Sequence, residues 1–258
     1  MMSIVKKLAK YLLGDRKALS PVVKMDVSWT LPADRFKGKN VLITDGSSGI
    51  GLEIARQFLA EGATVLITGR KEESLQKAEK ELNNTRLQTI VWDVSDLNHT
   101  SEYFAKALQL TECFDIFVNN AGICELGSWD TFDTSTFDQH VDVNTKGLFF
   151  MCQQEGKYLT DNAIKGKIIN ITSIAGTKPS MDSYSVSKWG ATCITKGLAK
   201  ELVKYGITVN GIAIGNVETS ISENFDGEVA NITLFIASGA ANNIVGQFIV
   251  VDGSGINI

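Results

Sequence analysis

Short apolar runs alternate along the chain with longer stretches in which apolar residues recur at helical spacing. The runs are strand-sized, as at residues 41–44 and 64–68, and the helical stretches carry charged faces, as at residues 72–82. Apolar strands that alternate with helices are typical of a parallel sheet that is covered on both faces. The pattern therefore predicts an α/β fold with one doubly wound sheet.

Further strands and helices of the same kind complete this pattern. The other predicted strands are residues 88–92, 115–118, 167–172, 208–214 and 247–251, and the other predicted helices are residues 51–61, 137–159, 184–205 and 229–238. All of them fall within one predicted domain, residues 39–258.

Residues 1–38 precede this domain as an arm that contains two prolines. Within the arm, Ile4, Leu8 and Tyr11 share one helical face among lysines, which predicts a short basic amphipathic helix. Such a helix packs on its own domain or on a partner subunit, lies on a membrane surface, or frays. We favour packing over membrane contact. The sequence has no apparent secretory signal or membrane-spanning run, so a cytoplasmic location is expected.

The composition narrows the function classes. Hydrophobic residues make up 44% of the 258 residues and charged residues 21%, which is ordinary for a soluble globular protein. The net charge of −4 lacks the basic excess that nucleic-acid binding usually requires, so no nucleic-acid partner is expected.

Cysteines and histidines give no sign of a metal site. The two histidines, His99 and His140, have no metal-binding spacing, and we expect both at the surface. Without a metal site or a Gly-x-Ser-x-Gly elbow, a hydrolase or a metalloenzyme is disfavoured. The cysteines form no Cys-x-x-Cys pair, and we expect buried free thiols in a reducing cytosol at Cys113, Cys124, Cys152 and Cys193.

A glycine-rich turn follows the first predicted strand, at Thr44-Asp45-Gly46-Ser47-Ser48-Gly49-Ile50-Gly51. Glycines let the backbone approach a pyrophosphate, and the N-terminus of the following helix favours an anion. The turn is not a P-loop, because no Gly-Lys-Ser/Thr follows the glycines. A tight strand-to-helix connection with no ligand would also explain it.

The second candidate feature is a tyrosine and a lysine four residues apart on one helical face, Tyr184 and Lys188. A nearby ammonium lowers the pKa of a tyrosine, which makes the phenol a better acid or base at neutral pH. Ser173 ends a predicted strand, where its hydroxyl can donate to a developing oxyanion. Chance spacing of the pair, and a helix-cap role for Ser173, are the alternatives.

Taken together, these motifs resemble the short-chain dehydrogenase/reductase family over residues 37–258. Further matching motifs stand in the family's order at Asp93-Val94, Asn119-Asn120-Ala121-Gly122, Asn144 within Val143–Gly147, Val209-Asn210, Gly215–Thr219 and Val251-Asp252-Gly253. The resemblance implies a Rossmann-like sheet and hydride transfer between NAD(P) and a carbonyl or secondary alcohol. In general pattern the chain resembles the 3-oxoacyl-[acyl-carrier-protein] reductase branch.

The resemblance also implies the site residues and partners. The implied catalytic residues are Asn144, Ser173, Tyr184 and Lys188, with Asn144 expected to hold a water that links Lys188 to solvent. The implied cofactor-binding residues are Thr44, Gly46, Ser47, Ser48, Gly49, Ile50, Gly51, Arg70, Asp93, Val94, Asn120, Ala121, Gly122, Tyr184, Lys188, Gly215, Val217 and Thr219. A homodimer or homotetramer built through two long helices is expected. The substrate is a small carbonyl or alcohol: a 3-oxoacyl thioester first, a sugar, steroid or small secondary alcohol otherwise.

The sequence departs from the family pattern at three places. Asp45 stands where a glycine is usual, although aspartate tolerates unusual backbone angles. Ile214 replaces a proline, and few residues separate Thr219 from the helix near Val229, where the family has a longer substrate lid. These departures keep open a catalytically silent nucleotide-binding or scaffold protein of the same fold.

The choice between NADP(H) and NAD(H) depends on the end of the second strand. An acid there would accept from the ribose 2′-hydroxyl and favour NAD. The chain has Gly69-Arg70 instead, and Arg70 can pair with a 2′-phosphate. NADP(H) is therefore favoured over NAD(H), although the charge of Asp45 opposes phosphate binding.

Overall fold

The computed structural model describes residues 34–125, 127–215 and 224–252. The predicted amphipathic helix at the N-terminus and the predicted cofactor contacts Val217 and Thr219 lie outside these residues. Among the helices of the described ranges, none combines the length and the apolar character needed to cross a membrane.

Seven strands and seven α-helices make up the described fold. The strands are β1 Asn40–Ile43, β2 Thr64–Gly69, β3 Leu87–Val91, β4 Ile116–Asn119, β5 Lys167–Ser173, β6 Thr208–Ile214 and β7 Phe248–Val251. The helices are α1 Gly49–Ala60, α2 Glu72–Leu82, α3 Thr100–Thr111, α4 Thr134–Val141, α5 Leu148–Asp161, α6 Ser183–Leu202 and α7 Phe225–Ala237.

The strands form one sheet in the order β3-β2-β1-β4-β5-β6-β7, and every neighbouring pair is parallel. The predicted doubly wound α/β fold is thus confirmed. The order reverses between β1 and β4, and sheets of this kind bind ligands in the crevice outside the carboxyl ends at such a point. The glycine-rich turn follows β1, and Asn120 follows β4, so both lie at this crevice.

Helices cover the two faces of the sheet in two separate groups. Alternate strand residues face opposite sides, so Val41 and Ile43 pack on one side and Leu42 on the other. The first group consists of α1, α2 and α7, and the second of α3, α5 and α6. Because both faces are buried, the strands are apolar at successive positions instead of alternating with polar residues.

Two predicted features of the helices need correction. The helix predicted at residues 137–159 is divided: α4 ends at Val141, residues Asp142–Gly147 form a π-helical turn, and α5 follows. Helix α3 was missed, although Phe104, Ala107 and Thr111 are buried along one of its faces. Its exposed positions are mixed in character, which weakens the helical signal in the sequence.

The burial predicted for three of the four cysteines and for one of the two histidines was wrong, whereas His99 is exposed as predicted. Only Cys152 is buried, whereas Cys113, Cys124 and Cys193 are free and exposed, because they lie at a helix end, in a loop and on an outer helix face. His140, expected at the surface, is 0% exposed. Its position at the inner end of α4, against α6, accounts for the burial.

Candidate active site

The glycine-rich turn after β1 has the backbone that its sequence requires. Asp45 adopts a φ of +51°, so the unusual angle expected there is present, and Gly49 has a φ of +53°. A Cβ on Gly46 would lie 2.7 Å from the Ile67 side chain, so only glycine fits there without movement of its neighbour. A Cβ on Gly49 would meet nothing within 4 Å. The first residue of α1 therefore borders open space, where the helix N-terminus favours an anion.

Side chains that directly follow β1 and β4 hold this turn in place. The Thr44 hydroxyl accepts from the backbone N–H groups of Asn120 and Ala121, each at 3.0 Å. The Asn120 amide donates to the carbonyls of Thr44 and Asp45, at 3.2 and 3.1 Å. Thr44 and Asn120 were both predicted to bind the cofactor. Their side chains bind the protein backbone instead and so fix the shape of the turn.

Beside the turn, a crevice brings several predicted cofactor residues together. Asp45, Arg70 and Asp93 line it, along with Gly69, Trp92, Val94, Ala121 and Gly122. Burial raises the pKa of Asp45, Arg70 lowers that pKa, and Asp93 raises it. Arg70 itself is exposed. The crevice therefore places two acids, Asp45 and Asp93, and one guanidinium where the adenosine end of a dinucleotide would lie.

Ser173 and Tyr184 meet at the next strand end along the sheet. Ser173 is the last residue of β5, is 6% exposed, and accepts from the N–H of Ala175 at 3.1 Å. It thus caps a short helix and keeps its hydroxyl proton free to donate to Tyr184. Tyr184 lies in the first turn of α6, where Asp182 accepts from the N–H of Ser185 at 2.6 Å as the N-cap.

The ionisation of Tyr184 differs from the sequence prediction. Burial raises the pKa of Tyr184, while the Ser173 hydroxyl lowers it by donating to the phenolate. Burial also lowers the pKa of Lys188 to about 8. The depression of the Tyr184 pKa by Lys188 is thus not found. Lys188 Nζ lies over the ring, 5.6 Å from its centroid, and desolvation of the phenol dominates.

Asn144 lies in the π-helical turn, a geometry often found at functional sites. Its Oδ1 accepts from the N–H of Ile123 at 2.9 Å, and its Nδ2 donates to the Ile123 carbonyl at 2.8 Å and to Ser187 Oγ at 3.0 Å. A Cβ on Gly122 would lie 3.2 Å from both Asn144 Oδ1 and Lys188 Nζ. Asn144, Gly122 and Lys188 are therefore neighbours, and Asn144 binds the backbone of the loop that follows β4 through both hydrogen bonds to Ile123.

Lys188 suits a ligand that offers hydroxyl groups. Lys188 is 7% exposed, and a Cβ on Gly122 would lie 3.2 Å from its Nζ. Desolvation makes a buried ammonium costly, and the hydroxyls of a nicotinamide ribose would supply acceptors beside Gly122. Together with the open space at Gly49, this shows that the residues present fit a dinucleotide.

A second cleft, of about 480 Å³, is lined by Ser173 and Tyr184. Sequence reasoning missed most of its walls, which include Cys124, Glu125, Phe132, Ile174, Ala175 and Asp182. Predicted Gly215 also lines this cleft, as does Ile214. One signal was available in the sequence: Cys124 and Glu125 follow the Asn-Asn-Ala-Gly motif almost directly. The cleft gives a small molecule access to the Tyr184 hydroxyl.

A parallel doubly wound sheet with a glycine turn, and with a serine, a tyrosine and a lysine beside it, defines the class of nicotinamide-dependent oxidoreductases. The chain matches the family model for short chain dehydrogenases over residues 39–229. It is 32% identical to the 3-oxoacyl-[acyl-carrier-protein] reductase of Thermotoga maritima, over 85% of this chain and 98% of that protein.

Other relatives act on different compounds by name. The galactitol 2-dehydrogenase (L-tagatose-forming) of Cereibacter sphaeroides is 32% identical, with 85% of this chain and 95% of that protein covered. A solved short chain dehydrogenase from Bacillus anthracis superposes with a TM-score of 0.78 at 30% identity, over 84% of this chain and 96% of the other. The chain belongs to the short-chain dehydrogenase/reductase family and is an NAD(P)-dependent oxidoreductase.

Proposed function

We propose that the protein reduces a small carbonyl compound with NADPH, and that Tyr184 supplies the proton. The observation that carries this proposal is the meeting of Ser173, Tyr184, Lys188 and Asn144 between the dinucleotide crevice and the open cleft. When bound, the nicotinamide supplies the hydride that adds to the carbonyl carbon.

The chain's own residues handle the charge that develops on the carbonyl oxygen. Ser173 donates a hydrogen bond to that oxygen, and Tyr184 transfers its phenolic proton to it. The raised pKa of Tyr184 keeps the phenol protonated at neutral pH, as reduction requires. Lys188 holds the ribose, and the Ser173 hydroxyl donates to the phenolate left after transfer. Asn144 keeps a lone pair on Oδ1 for a water that returns the proton from solvent.

For the substrate, we propose a 3-oxoacyl thioester first. The support is the likeness to 3-oxoacyl-[acyl-carrier-protein] reductases, together with a cleft whose lining includes the apolar side chains of Phe132, Ile174 and Ile214. A polyol or keto sugar is the second candidate, since relatives of similar identity are named as galactitol and gluconate dehydrogenases.

The function is tested by mixing the protein with NADPH and one carbonyl at a time: acetoacetyl-CoA, L-tagatose or 5-ketogluconate. Loss of the reduced-nicotinamide absorbance with acetoacetyl-CoA supports the first candidate, and loss with a keto sugar supports the second. Bound NADPH with no turnover on any carbonyl would favour the catalytically silent alternative.

NADPH is the proposed cofactor because Arg70 stands at the end of β2 with Gly69 before it, where NAD-specific sites carry an acid. Arg70 is exposed and shares the crevice with Asp45. Its guanidinium would pair with the 2′-phosphate of NADPH.

We also propose a homodimer or homotetramer in the cytoplasm, built through α5 and α6. A groove runs along these two helices, with Phe149 and Tyr205 48% and 52% exposed at its ends. Burying such side chains favours association. Light scattering of the native protein and of Phe149→Glu tests this, and a native monomer would refute it.

For the domain organisation, the proposal is that residues 39–258 form the catalytic domain and residues 1–38 an arm before it. Phe36 packs on Phe58 of α1, with ring centroids 4.8 Å apart, so Phe36 itself belongs to the core of the domain. Deleting residues 1–33 should leave NADPH binding intact.

A further inference from the structure

His140 is a buried histidine whose two ring nitrogens both have partners. It lies near the end of α4 and is 0% exposed. Nε2 accepts from the backbone N–H of Glu125 at 3.0 Å, and Nδ1 lies 2.8 Å from Ser183 Oγ. A nitrogen that accepts from an amide carries no proton, so the neutral ring is protonated on Nδ1 and donates to Ser183.

The two partners of His140 belong to two segments that line the substrate cleft, the loop after β4 and the start of α6. Glu125 follows Cys124 in the loop after β4, and both residues line that cleft. Ser183 is the first residue of α6 and directly precedes Tyr184. The imidazole also packs edge-on against Tyr184, with ring centroids 5.9 Å apart. One side chain therefore connects the loop wall to the helix that carries the proposed acid.

We propose that His140 is a positioning residue of this reductase, which fixes the loop at Cys124 and Glu125 relative to Tyr184 and so aligns the substrate carbonyl with the phenol. The inference rests on the proposed function, because it is Tyr184 that gives up the proton there. His140 touches no reacting atom and acts only through Glu125, Ser183 and Tyr184.

A side chain that only filled the space between α4 and α6 would not need the hydrogen bonds to Glu125 and Ser183. An apolar side chain of similar size would occupy the same space between α4 and α6 without burying two polar nitrogens. The positioning role and the filler role thus differ in outcome: the first predicts a change in kinetics when the hydrogen bonds are lost, and the second predicts only a change in stability.

The two hydrogen bonds of His140, to Glu125 and to Ser183, together form what we call the His140 tie. The pH dependence of this tie follows from its geometry. Protonation of Nε2 would point an N–H at the N–H of Glu125 and break that hydrogen bond. The charged groups that face the ring are the carboxylates of Glu125 and Asp182, which favour the imidazolium, and the ammonium of Lys188, which opposes it. Burial opposes the imidazolium most strongly, so the pKa of His140 is lowered and the tie holds at neutral pH.

The test compares His140→Leu, His140→Gln and Ser183→Ala with the native protein, using NADPH and acetoacetyl-CoA, or whichever panel carbonyl the native protein reduces. Leucine removes both hydrogen bonds, whereas the glutamine oxygen can still accept from Glu125. We expect kcat/KM for the carbonyl to fall by about tenfold or more in His140→Leu. The fall should be smaller in the other two variants, and the NADPH affinity should be unchanged in all three.

The native kcat/KM should also decline at acid pH, and this decline should be absent in His140→Gln.

Amide hydrogen exchange at Glu125 measures directly whether its N–H is hydrogen-bonded to His140, and it does not require turnover. Exchange should be faster in His140→Leu than in the native protein and close to native in His140→Gln. If the native protein reduces the carbonyl and His140→Leu keeps its kcat, KM and pH profile, the positioning role is overturned and the proposed function stands. If the native protein reduces no carbonyl, the proposed function fails. Unchanged Glu125 exchange in His140→Leu then overturns the tie as well.

Discussion

At the scale of single residues, the site contains groups whose surroundings disfavour their usual charge or backbone conformation. Asp45 is a negative charge beside a predicted phosphate site, and it occupies a left-handed backbone conformation with φ +51°. Tyr184 and Lys188 are both desolvated, and burial shifts each toward its neutral form. Each of these residues is a place where a substitution gives a distinct result.

Replacing Asp45 with glycine should tighten NADPH binding a few-fold, because glycine relaxes the backbone and the charge near the phosphates is removed. Asp45→Asn is the matched control, since asparagine tolerates the same backbone conformation without the charge. Fluorescence titration of the three proteins separates the two effects. Weaker binding in both variants would mean that the Asp45 carboxylate makes a useful contact with the cofactor.

Replacing Arg70 with alanine should weaken NADPH binding by about 1–3 kcal/mol and leave NADH binding nearly unchanged, since only the contact with the 2′-phosphate is lost. Lys71→Ala removes the adjacent exposed charge and serves as the control. Titration with both cofactors measures the difference. Equal losses for NADPH and NADH in Arg70→Ala would refute the assigned preference.

Glu155 should make the stability pH-dependent. It is 0% exposed, accepts from Asn119 at 2.9 Å, and burial raises its pKa to about 8. The folded protein therefore keeps a proton that the unfolded chain loses above the ordinary pKa of 4.5. As the pH rises from 4.5 to about 8, the free energy of unfolding should therefore fall, by up to about 1.4 kcal/mol per pH unit.

Glu155→Gln should remove this pH dependence, because the amide cannot ionise and keeps an oxygen that can accept from Asn119. Urea unfolding at several pH values compares it with the native protein and with Glu228→Gln, an exposed control. Parallel pH profiles for the native protein and Glu155→Gln would rule out a proton on Glu155.

The residues that sequence reasoning found are those whose type and spacing are themselves the signal. Tyr184, Lys188 and Ser173 belong to this group, and the structure brings them to one place. His140 does not, because a single histidine carries no spacing, and its burial depends on how α4 meets α6. For the same reason the exposure of Cys124 and the pKa of Tyr184 followed only from the packed structure.

At the scale of elements, the N-cap of α6 couples stability to the site. Asp182→Ala should lower the free energy of unfolding by about 0.5–2 kcal/mol and also reduce kcat/KM, because Tyr184 lies in the first helical turn. Asp133 caps α4 with a hydrogen bond to Thr136 N at 2.8 Å, so Asp133→Ala should lose stability alone.

Asp182→Asn should restore most of both properties, since asparagine is an equally good cap. Thermal unfolding and steady-state kinetics on the same samples make the comparison. An Asp182→Ala protein that is less stable but fully active would show that the cap does not position Tyr184.

Element boundaries were predictable where the hydrophobic period was uninterrupted. Helix α2 and strand β6 begin and end where the sequence predicts. The π-helical turn at Asp142–Gly147 keeps a helical spacing on both sides, so the sequence pattern runs through it without a break. The π-helical turn matters for the site because it brings Asn144 into hydrogen-bonding contact with Ile123 and Ser187.

At the scale of the whole molecule, the order of the sheet accounts for the location of the site. Strands β1 and β4 are neighbours although they are distant in sequence, and their carboxyl ends bring the glycine turn and Asn120 together. Strand β5 follows β4 and carries Ser173 to the same edge. The alternating pattern predicted this class of sheet, whereas the strand order was not predicted, because the pattern does not show which strands are neighbours.

The central claim is hydride transfer to a carbonyl with protonation by Tyr184, and isotope transfer tests it most directly. NADPH labelled with deuterium at the transferring position of the nicotinamide is incubated with the protein and a carbonyl that it reduces. The alcohol product, examined by mass spectrometry, should be one mass unit heavier. In Tyr184→Phe the rate of its formation should fall about 10²–10⁴-fold while NADPH still binds. An unlabelled product, or near-native turnover in Tyr184→Phe, would contradict the account.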